Sequence, residues 1–67
     1  MSVAKVIEIS AESDKSFEDA VHQGIDRASQ TVDNIQGAWV KEMQAKVENG
    51  KITGYRVDMK VTFILGS

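Results

Sequence analysis

The chain contains no cysteine and no proline, and it has a single histidine and a single tryptophan. Without cysteine there are no disulfides, no thiolate nucleophiles and no cysteine-based metal clusters. The apolar run from Val61 to Leu65 is interrupted by Thr62 and is far too short for a membrane helix. The first residues, MSVAKVIEIS, lack the apolar core and the cleavage site of a secretory signal. We therefore predict a cytoplasmic protein with no membrane partner.

Positive charge is also scarce, because 8 basic residues are dispersed among 10 acidic ones and the net charge is −2. Proteins that bind nucleic acid without sequence specificity need clustered lysine and arginine. The sequence therefore argues against a nucleic-acid partner.

With 67 residues the chain has room for one domain, spanning residues 1–67. Its hydrophobic content of 42% is typical of a globular protein. A chain of this size buries only about 60% of its unfolded surface, so its core is of marginal stability. Disulfides are absent and no structural metal motif is present, which leaves other copies of the chain as the simplest source of further stability. We therefore expect a homo-oligomer.

The pattern along the chain predicts one strand, one helix and a hairpin. Residues 3–9 are short and β-branched, which is typical of a strand. A helix follows, with Ser13 as its N-cap and an apolar stripe that runs about 20 residues to Ile35. Gly37 is the expected terminator of this helix. The implied fold class is α+β, with one helix packed on a three-stranded antiparallel sheet in β-α-β-β order.

The predicted hairpin joins residues 38–48 to residues 51–65 through Asn49 and Gly50, a dipeptide typical of a type I′ turn. A two-residue loop makes paired positions sum to 99, with a β-bulge at Gly54 as a local exception. This register pairs Glu48 with Lys51, Lys41 with Asp58, Met43 with Arg56 and Trp39 with Lys60.

In this register one face of the sheet is apolar and receives the helix. The other face mixes charges with large apolar side chains, which would need a neighbouring subunit or a ligand to cover them. These apolar side chains are Trp39, Met43, Ile52 and Ile64.

The sequence offers little for catalysis or for a metal site. His22 lies on the polar face of the helix beside Glu18, Asp19 and Asp26, and a solvated surface histidine explains this arrangement better than a metal ligand does. No catalytic triad, carboxylate pair in a pocket or glycine-rich phosphate loop is present. We predict a protein that is not an enzyme.

Trp39 and Arg56 are the candidate ligand contacts, because both fall on the mixed sheet face. An indole ring suits stacking on a planar ligand, although a buried tryptophan in a subunit interface is the simpler explanation. A guanidinium group can donate to carbonyl or phosphate oxygens, or can pair with a carboxylate of a neighbour.

Four segments resemble the dodecins: KVIEIS, SDKSFEDA, IDRASQTVDNI and GYRVDMKVTFIL. The resemblance covers nearly the whole chain and agrees in length and element order. It implies a β-α-β-β fold and a hollow homododecamer with cubic 23-type symmetry. It also implies binding of a flavin, either riboflavin or flavin mononucleotide (FMN), for storage and photoprotection rather than for catalysis.

This sequence differs from the family pattern at the two positions whose side chains contact the flavin. Gly37 stands where the family has the tryptophan that stacks on the flavin, and Arg56 stands where it has a glutamine. One hypothesis is that Trp39 takes over the stacking and Arg56 the edge contacts, which gives a flavin site of Gly37, Trp39 and Arg56.

The alternative is a flavin-free dodecin of the calcium-binding type, with any calcium site built across subunits, or a purely structural shell. The family as a whole favours flavin as the first expectation, and the two substitutions favour the alternative.

Overall fold

A computed structural model describes residues 2–66. The chain forms strand β1 (Ala4–Ser13), helix α1 (Phe17–Ser29), strand β2 (Ile35–Glu48) and strand β3 (Lys51–Ile64). The three strands form one antiparallel sheet in the order β1-β3-β2, so β3 is central. The predicted β-α-β-β order and fold class are confirmed.

Strand β1 is longer than the predicted 3–9. The polar stretch after Ile9 stays in the sheet, because Ser10 pairs with Asp58 and Ser13 pairs with Tyr55. Alternation continues through this stretch, since Ala11 packs against the core with Ile9 while Ser10 stays exposed.

The helix begins after Ser16, not after the predicted cap Ser13. The Ser16 hydroxyl accepts the backbone N–H of Asp19 at 2.9 Å, which is the usual N-cap contact. Ser13 ends β1 instead, and its buried hydroxyl donates to the Asp19 carboxylate at 2.5 Å. Ser13 and Ser16 can both cap a helix by their side-chain hydroxyls. Ser16 is the cap because Ser13 is still paired with Tyr55 in the sheet.

The helix ends at Ser29, so the predicted continuation to Ile35 is wrong. Val32 still donates its N–H to Ala28, but Asn34 takes a positive φ of 63°, and β2 begins directly after it. Asparagine tolerates this left-handed conformation better than most residues do. Ile35 matches the helical spacing but packs against the core from the start of β2, and Val32 is half-buried. Gly37 lies inside β2 and terminates nothing.

The predicted turn is confirmed, with φ of 51° at Asn49 and 76° at Gly50. The predicted register holds at both ends of the hairpin, where Glu48 pairs with Lys51 and Trp39 pairs with Lys60. Between these ends it is wrong by one residue.

Two β-bulges cause the shift. Thr53 is the extra residue on β3, next to the expected Gly54, and Lys41 is the extra residue on β2. The predicted pairs Lys41–Asp58 and Met43–Arg56 are therefore replaced. The observed partners are Glu42 with Asp58, Met43 with Val57, and Gln44 with Arg56.

The bulges also change which face carries which side chain. Met43 lies opposite Val57, and Val57 is buried under the helix. Because paired residues share a face, Met43 belongs to the helix side of the sheet, and so does Ile52 through its pairing with Val47. The prediction that placed Met43 and Ile52 on the other face is wrong. Trp39 and Ile64 remain on the predicted face.

The core lies between the helix and β3. Val57, Met59 and Val61 are buried against Ala20. The helix lies close to the sheet at Gly24, where a Cβ atom would lie 2.6 Å from Met59 Cε and 3.1 Å from Ala11 Cβ. The core is completed at one end by Phe17 and Tyr55, whose rings meet edge to face at 5.0 Å. Within residues 2–66, no helix is long and apolar enough to cross a membrane.

Candidate ligand-binding face

The face of the sheet turned away from the helix is called the outer face. Alternate residues of the strands lie on it, with the alternation on β2 interrupted by the bulge at Lys41: Val6, Glu8, Ser10 and Glu12 from β1, Gly37, Trp39, Glu42 and Gln44 from β2, and Arg56, Asp58, Lys60, Thr62 and Ile64 from β3. All three predicted site residues, Gly37, Trp39 and Arg56, lie on it. The structure therefore supports the expectation that they share a face.

The three residues do not meet within one protomer. Gly37 pairs with Thr62 and Trp39 pairs with Lys60, while Arg56 lies further along β3. At about 3.3 Å per residue, Arg56 is roughly 13 Å from the row of Trp39 and roughly 20 Å from the row of Gly37. A ligand that touches both Gly37 and Arg56 would therefore draw them from two protomers.

Trp39 presents its indole to solvent, with 72% of the residue exposed. The Lys60 ammonium group lies 6.0 Å from the ring centroid, at the outer limit of a cation–π contact. Neighbouring side chains do not bury the ring, so it is open to a ligand or to a second protomer.

Gly37 leaves open space beside this indole. A Cβ atom built on Gly37 would have no atom within 4 Å, and the residue does not have a positive φ. Glycine is therefore not required here by the backbone or by the packing of the protomer. The position accommodates a larger side chain.

Arg56 is engaged by its own protomer. Its Nε lies 3.3 Å from Asp58 Oδ1 and its Nη2 lies 3.4 Å from Ser10 Oγ. The Ser10 hydroxyl in turn donates to Asp58 Oδ1 at 2.6 Å. Arg56, Asp58 and Ser10 thus form a closed polar network across β1 and β3.

This network stabilises the charged form of Asp58. The hydrogen bond from Ser10 lowers the pKa of the Asp58 carboxyl below its usual value, and the hydrogen bond and charge of Arg56 lower it further, against partial desolvation. Sequence reasoning placed Ser10 outside the strand and missed this contact. The alternation of Val6, Glu8 and Ser10 was the signal that could have found it.

The network borders an open cleft of about 470 Å³, lined by the outer-face residues Glu42, Gln44, Arg56 and Asp58 and by Met43, which lies between Glu42 and Gln44 on β2. Glu42 and Asp58 are directly paired across the strands, and like charges in this position oppose each other. The cleft is therefore polar and carries carboxylate oxygens.

Two lysine side chains of β2 extend over the central strand β3 and form ion pairs with glutamates of β1. Lys41, the bulged residue, lies 3.6 Å from Glu8, and Lys46 lies 3.6 Å from Glu12. The stem of Lys46 passes over Gly54, whose missing side chain leaves room for it. All four side chains are at least half exposed, so each pair adds little stability.

The helix carries no comparable site. His22 lies 3.7 Å from Glu18, and both side chains are more than two-thirds exposed. In the part of the chain from residue 2 to residue 66, no group of three His, Cys, Asp or Glu side chains converges as a metal site would require.

Comparison with known proteins gives a consistent result. The sequence profile of the family described as Dodecin matches residues 3–66. The chain is 44% identical over 64 residues to calcium dodecin from Mycobacterium tuberculosis, covering 94% of this chain and 89% of that protein.

Two solved structures extend the comparison. A dodecin from Streptomyces davaonensis superposes with a TM-score of 0.93 at 33% identity, covering 98% of this chain and 97% of that one. A Mycobacterium tuberculosis calcium dodecin, described as calcium chelating with a novel calcium-binding site, superposes with a TM-score of 0.82 at 38% identity. That match covers 96% of this chain and 91% of the other.

Proposed function

This chain belongs to the dodecin family, and we propose that it is a non-catalytic binding protein that forms a hollow homododecamer and binds calcium rather than a flavin. The observation that carries this proposal is the 44% identity to a relative named calcium dodecin. The expected location in the cytoplasm stays a prediction.

The two departures from the flavin pattern support the choice of ligand. Gly37 supplies no ring for a flavin to stack on, and the space beside it is empty. Arg56 is held by Asp58 and Ser10, and it lacks the acceptor oxygen that a glutamine carries. A flavin would therefore lose both of the contacts that the family pattern provides.

Calcium takes six to eight oxygen ligands, including carboxylates, carbonyls and water. The outer face offers carboxylate oxygens around the cleft, with Glu42 and Asp58 opposite each other. A bound cation would relieve the repulsion between these two carboxylates. Two carboxylates supply too few oxygen atoms for the coordination shell of calcium. We therefore place the remaining ligands on a second protomer.

Isothermal titration of calcium into the assembled, chelator-stripped protein tests the ligand. We expect saturable binding that magnesium competes for only weakly, because magnesium needs a tighter octahedral site. Glu42→Gln should weaken binding, whereas Glu18→Gln on the exposed helix face serves as the matched control. A titration without saturable calcium binding would overturn the calcium assignment.

One observation favours flavin as a second candidate. The Trp39 indole is 72% exposed and lies two residues from Gly37 on the same face. If the stacking has moved to Trp39, the wild-type protein quenches FMN fluorescence to a stoichiometric endpoint and Trp39→Ala does not. Unchanged FMN fluorescence with the wild-type protein rejects this candidate.

A further inference from the structure

The tip of the hairpin joins an asparagine to a glycine in an exposed turn. Asn49 and Gly50 connect β2 to β3, and both residues are exposed. The strands pair directly beside them through Glu48 and Lys51, so the turn consists of these two residues alone. Water therefore reaches both the side chain of Asn49 and the backbone that follows it.

The amide nitrogen of Gly50 is not used by the fold. In a two-residue turn the ladder closes on the flanking residues, so the second turn residue lies outside the ladder. Within residues 2–66, neither the Gly50 N–H nor the side-chain amide of Asn49 forms a hydrogen bond with another group of the chain. A Cβ atom built on Gly50 would meet no atom within 4 Å, so the space beside this residue is open.

An asparagine that precedes an unhindered backbone nitrogen can react with it. The nitrogen attacks Cγ of the side-chain amide, a new C–N bond forms, and the bond from Cγ to the amide nitrogen breaks. Ammonia leaves and carries away the proton of the attacking N–H. The cyclic succinimide then takes up one water molecule, which opens the ring at either carbonyl carbon and gives aspartate or isoaspartate. The sequence of steps consumes only water.

Asn34 supplies an internal comparison, because it also has a positive φ, 63° against 51° at Asn49. The residue after Asn34 is Ile35, which is half-buried, belongs to β2 and packs against the core. The Asn34 carbonyl also accepts the N–H of Ile64 at 3.1 Å. A packed, branched neighbour and this hydrogen bond restrict the backbone rotation that ring closure requires. Asn49 has neither restraint.

We propose that Asn49 is a site of spontaneous deamidation in the folded protein and that Asn34 is not. The reaction replaces a neutral amide with a carboxylate, which makes the net charge of −2 more negative. Isoaspartate also inserts a methylene group into the backbone of the turn. The geometry of a type I′ turn matches the twist of the flanking strands, and the extra atom disturbs that match. Deamidation therefore loosens the end of the hairpin, whatever ligand the outer face binds.

High-resolution mass spectrometry tests the proposal on protein that is incubated in a mildly alkaline buffer and remains folded by circular dichroism. We expect a mass gain equal to the difference between a hydroxyl and an amino group, and peptide mapping should place it at Asn49. An isoaspartyl methyltransferase with a labelled methyl donor should label the incubated protein. Asn49→Gln, whose longer side chain closes a larger and less favourable ring, should show neither change.

Two results would overturn the proposal. One is an unchanged mass at Asn49 in the folded protein, because the native turn would then protect the residue, even where the urea-unfolded chain deamidates there. The other is equal deamidation of Asn34 and Asn49, because the glycine and the open turn would then make no difference.

Amide hydrogen exchange measures the structural consequence. Exchange at Glu48 and Lys51, beside the turn, should become several-fold faster in the isoaspartate form, whereas Val57 and Val61 in the buried core should exchange as before. Asn49→Asp carries the same charge without the extra methylene group and is the matched control. Unchanged exchange at Glu48 and Lys51 would contradict the predicted loosening of the hairpin.

Discussion

At the scale of single residues, the network of Arg56, Asp58 and Ser10 defines the chemistry of the outer face. It holds Arg56, which the sequence predicts as a ligand contact, in an ion pair with Asp58 and favours the charged form of Asp58. The hydrogen bond from Ser10 is the largest cause of the lowered pKa of Asp58. Substituting Ser10 therefore tests the network most directly.

We predict that Ser10→Ala raises the pKa of Asp58 towards its usual value, because the largest cause of its lowering is then lost. A pH titration of the Asp58 carboxyl carbon by NMR measures this change, with Ser29→Ala on the helix as the control. An Asp58 pKa that is equally low in both variants would contradict the role given to Ser10.

The same shift has a consequence for acid stability. Asp58 and also Asp19, whose pKa is lowered chiefly by the Ser13 hydroxyl, bind protons less readily in the folded chain than in the unfolded chain. Each therefore stabilises the fold above the usual carboxyl pKa, and this contribution is lost as the pH falls through the lowered folded value. Acid unfolding of Ser10→Ala should accordingly be less steep than that of the wild-type protein.

Gly24 packs tightly against the sheet, with no room for a Cβ atom beside Met59. We predict that Gly24→Val destabilises the fold by about 1–3 kcal/mol, because its side chain would displace Met59 and press on Ala11. Urea unfolding measures the difference, and Asp26→Val on the exposed face of the same helix is the control. Equal stabilities of the two variants would contradict the close packing at Gly24.

At the scale of secondary-structure elements, the tight turn is the part of the hairpin that local sequence predicts best. Asn49 and Gly50 both take positive φ, as the type I′ turn requires. We predict that Gly50→Ala costs about 1 kcal/mol of unfolding free energy, since alanine is strained at φ of 76°.

Gly37→Ala is the matched control for Gly50→Ala in thermal unfolding. Its backbone does not have a positive φ and its surroundings are open, so alanine should stabilise the chain by about 0.4–1 kcal/mol. Opposite signs for the two glycines are the expected result, and a shared sign would refute the conformational argument.

Some features of the strands and the helix could be predicted from the sequence and others could not. The order of elements, the turn and the outer-face position of Gly37, Trp39 and Arg56 followed from alternation and turn chemistry. The bulge at Lys41 did not, because nothing local to a lysine demands an extra residue, and the bulge predicted at Gly54 lies one residue away, at Thr53. The helix boundaries were also missed, since Ser13 and Ser16 are equal caps and Val32 continues the apolar spacing past the true end.

At the scale of the whole molecule, the sequence predicts that this chain departs from a flavin-binding pattern at Gly37 and Arg56. We predict that the double variant Gly37→Trp with Arg56→Gln quenches FMN fluorescence more strongly than the wild-type protein does. The open space beside Gly37 accepts the ring, and glutamine restores an acceptor oxygen. Each single variant is the control, and a double variant without quenching would show that more than these two residues has diverged.

One measurement tests both the proposed oligomeric state and the proposed ligand. It is native mass spectrometry of the intact protein with calcium and after removal of calcium by a chelator. We predict a dodecamer that carries discrete calcium adducts, loses them to the chelator and contains no flavin. A particle of another size, or a dodecamer that carries flavin and no calcium, would contradict it.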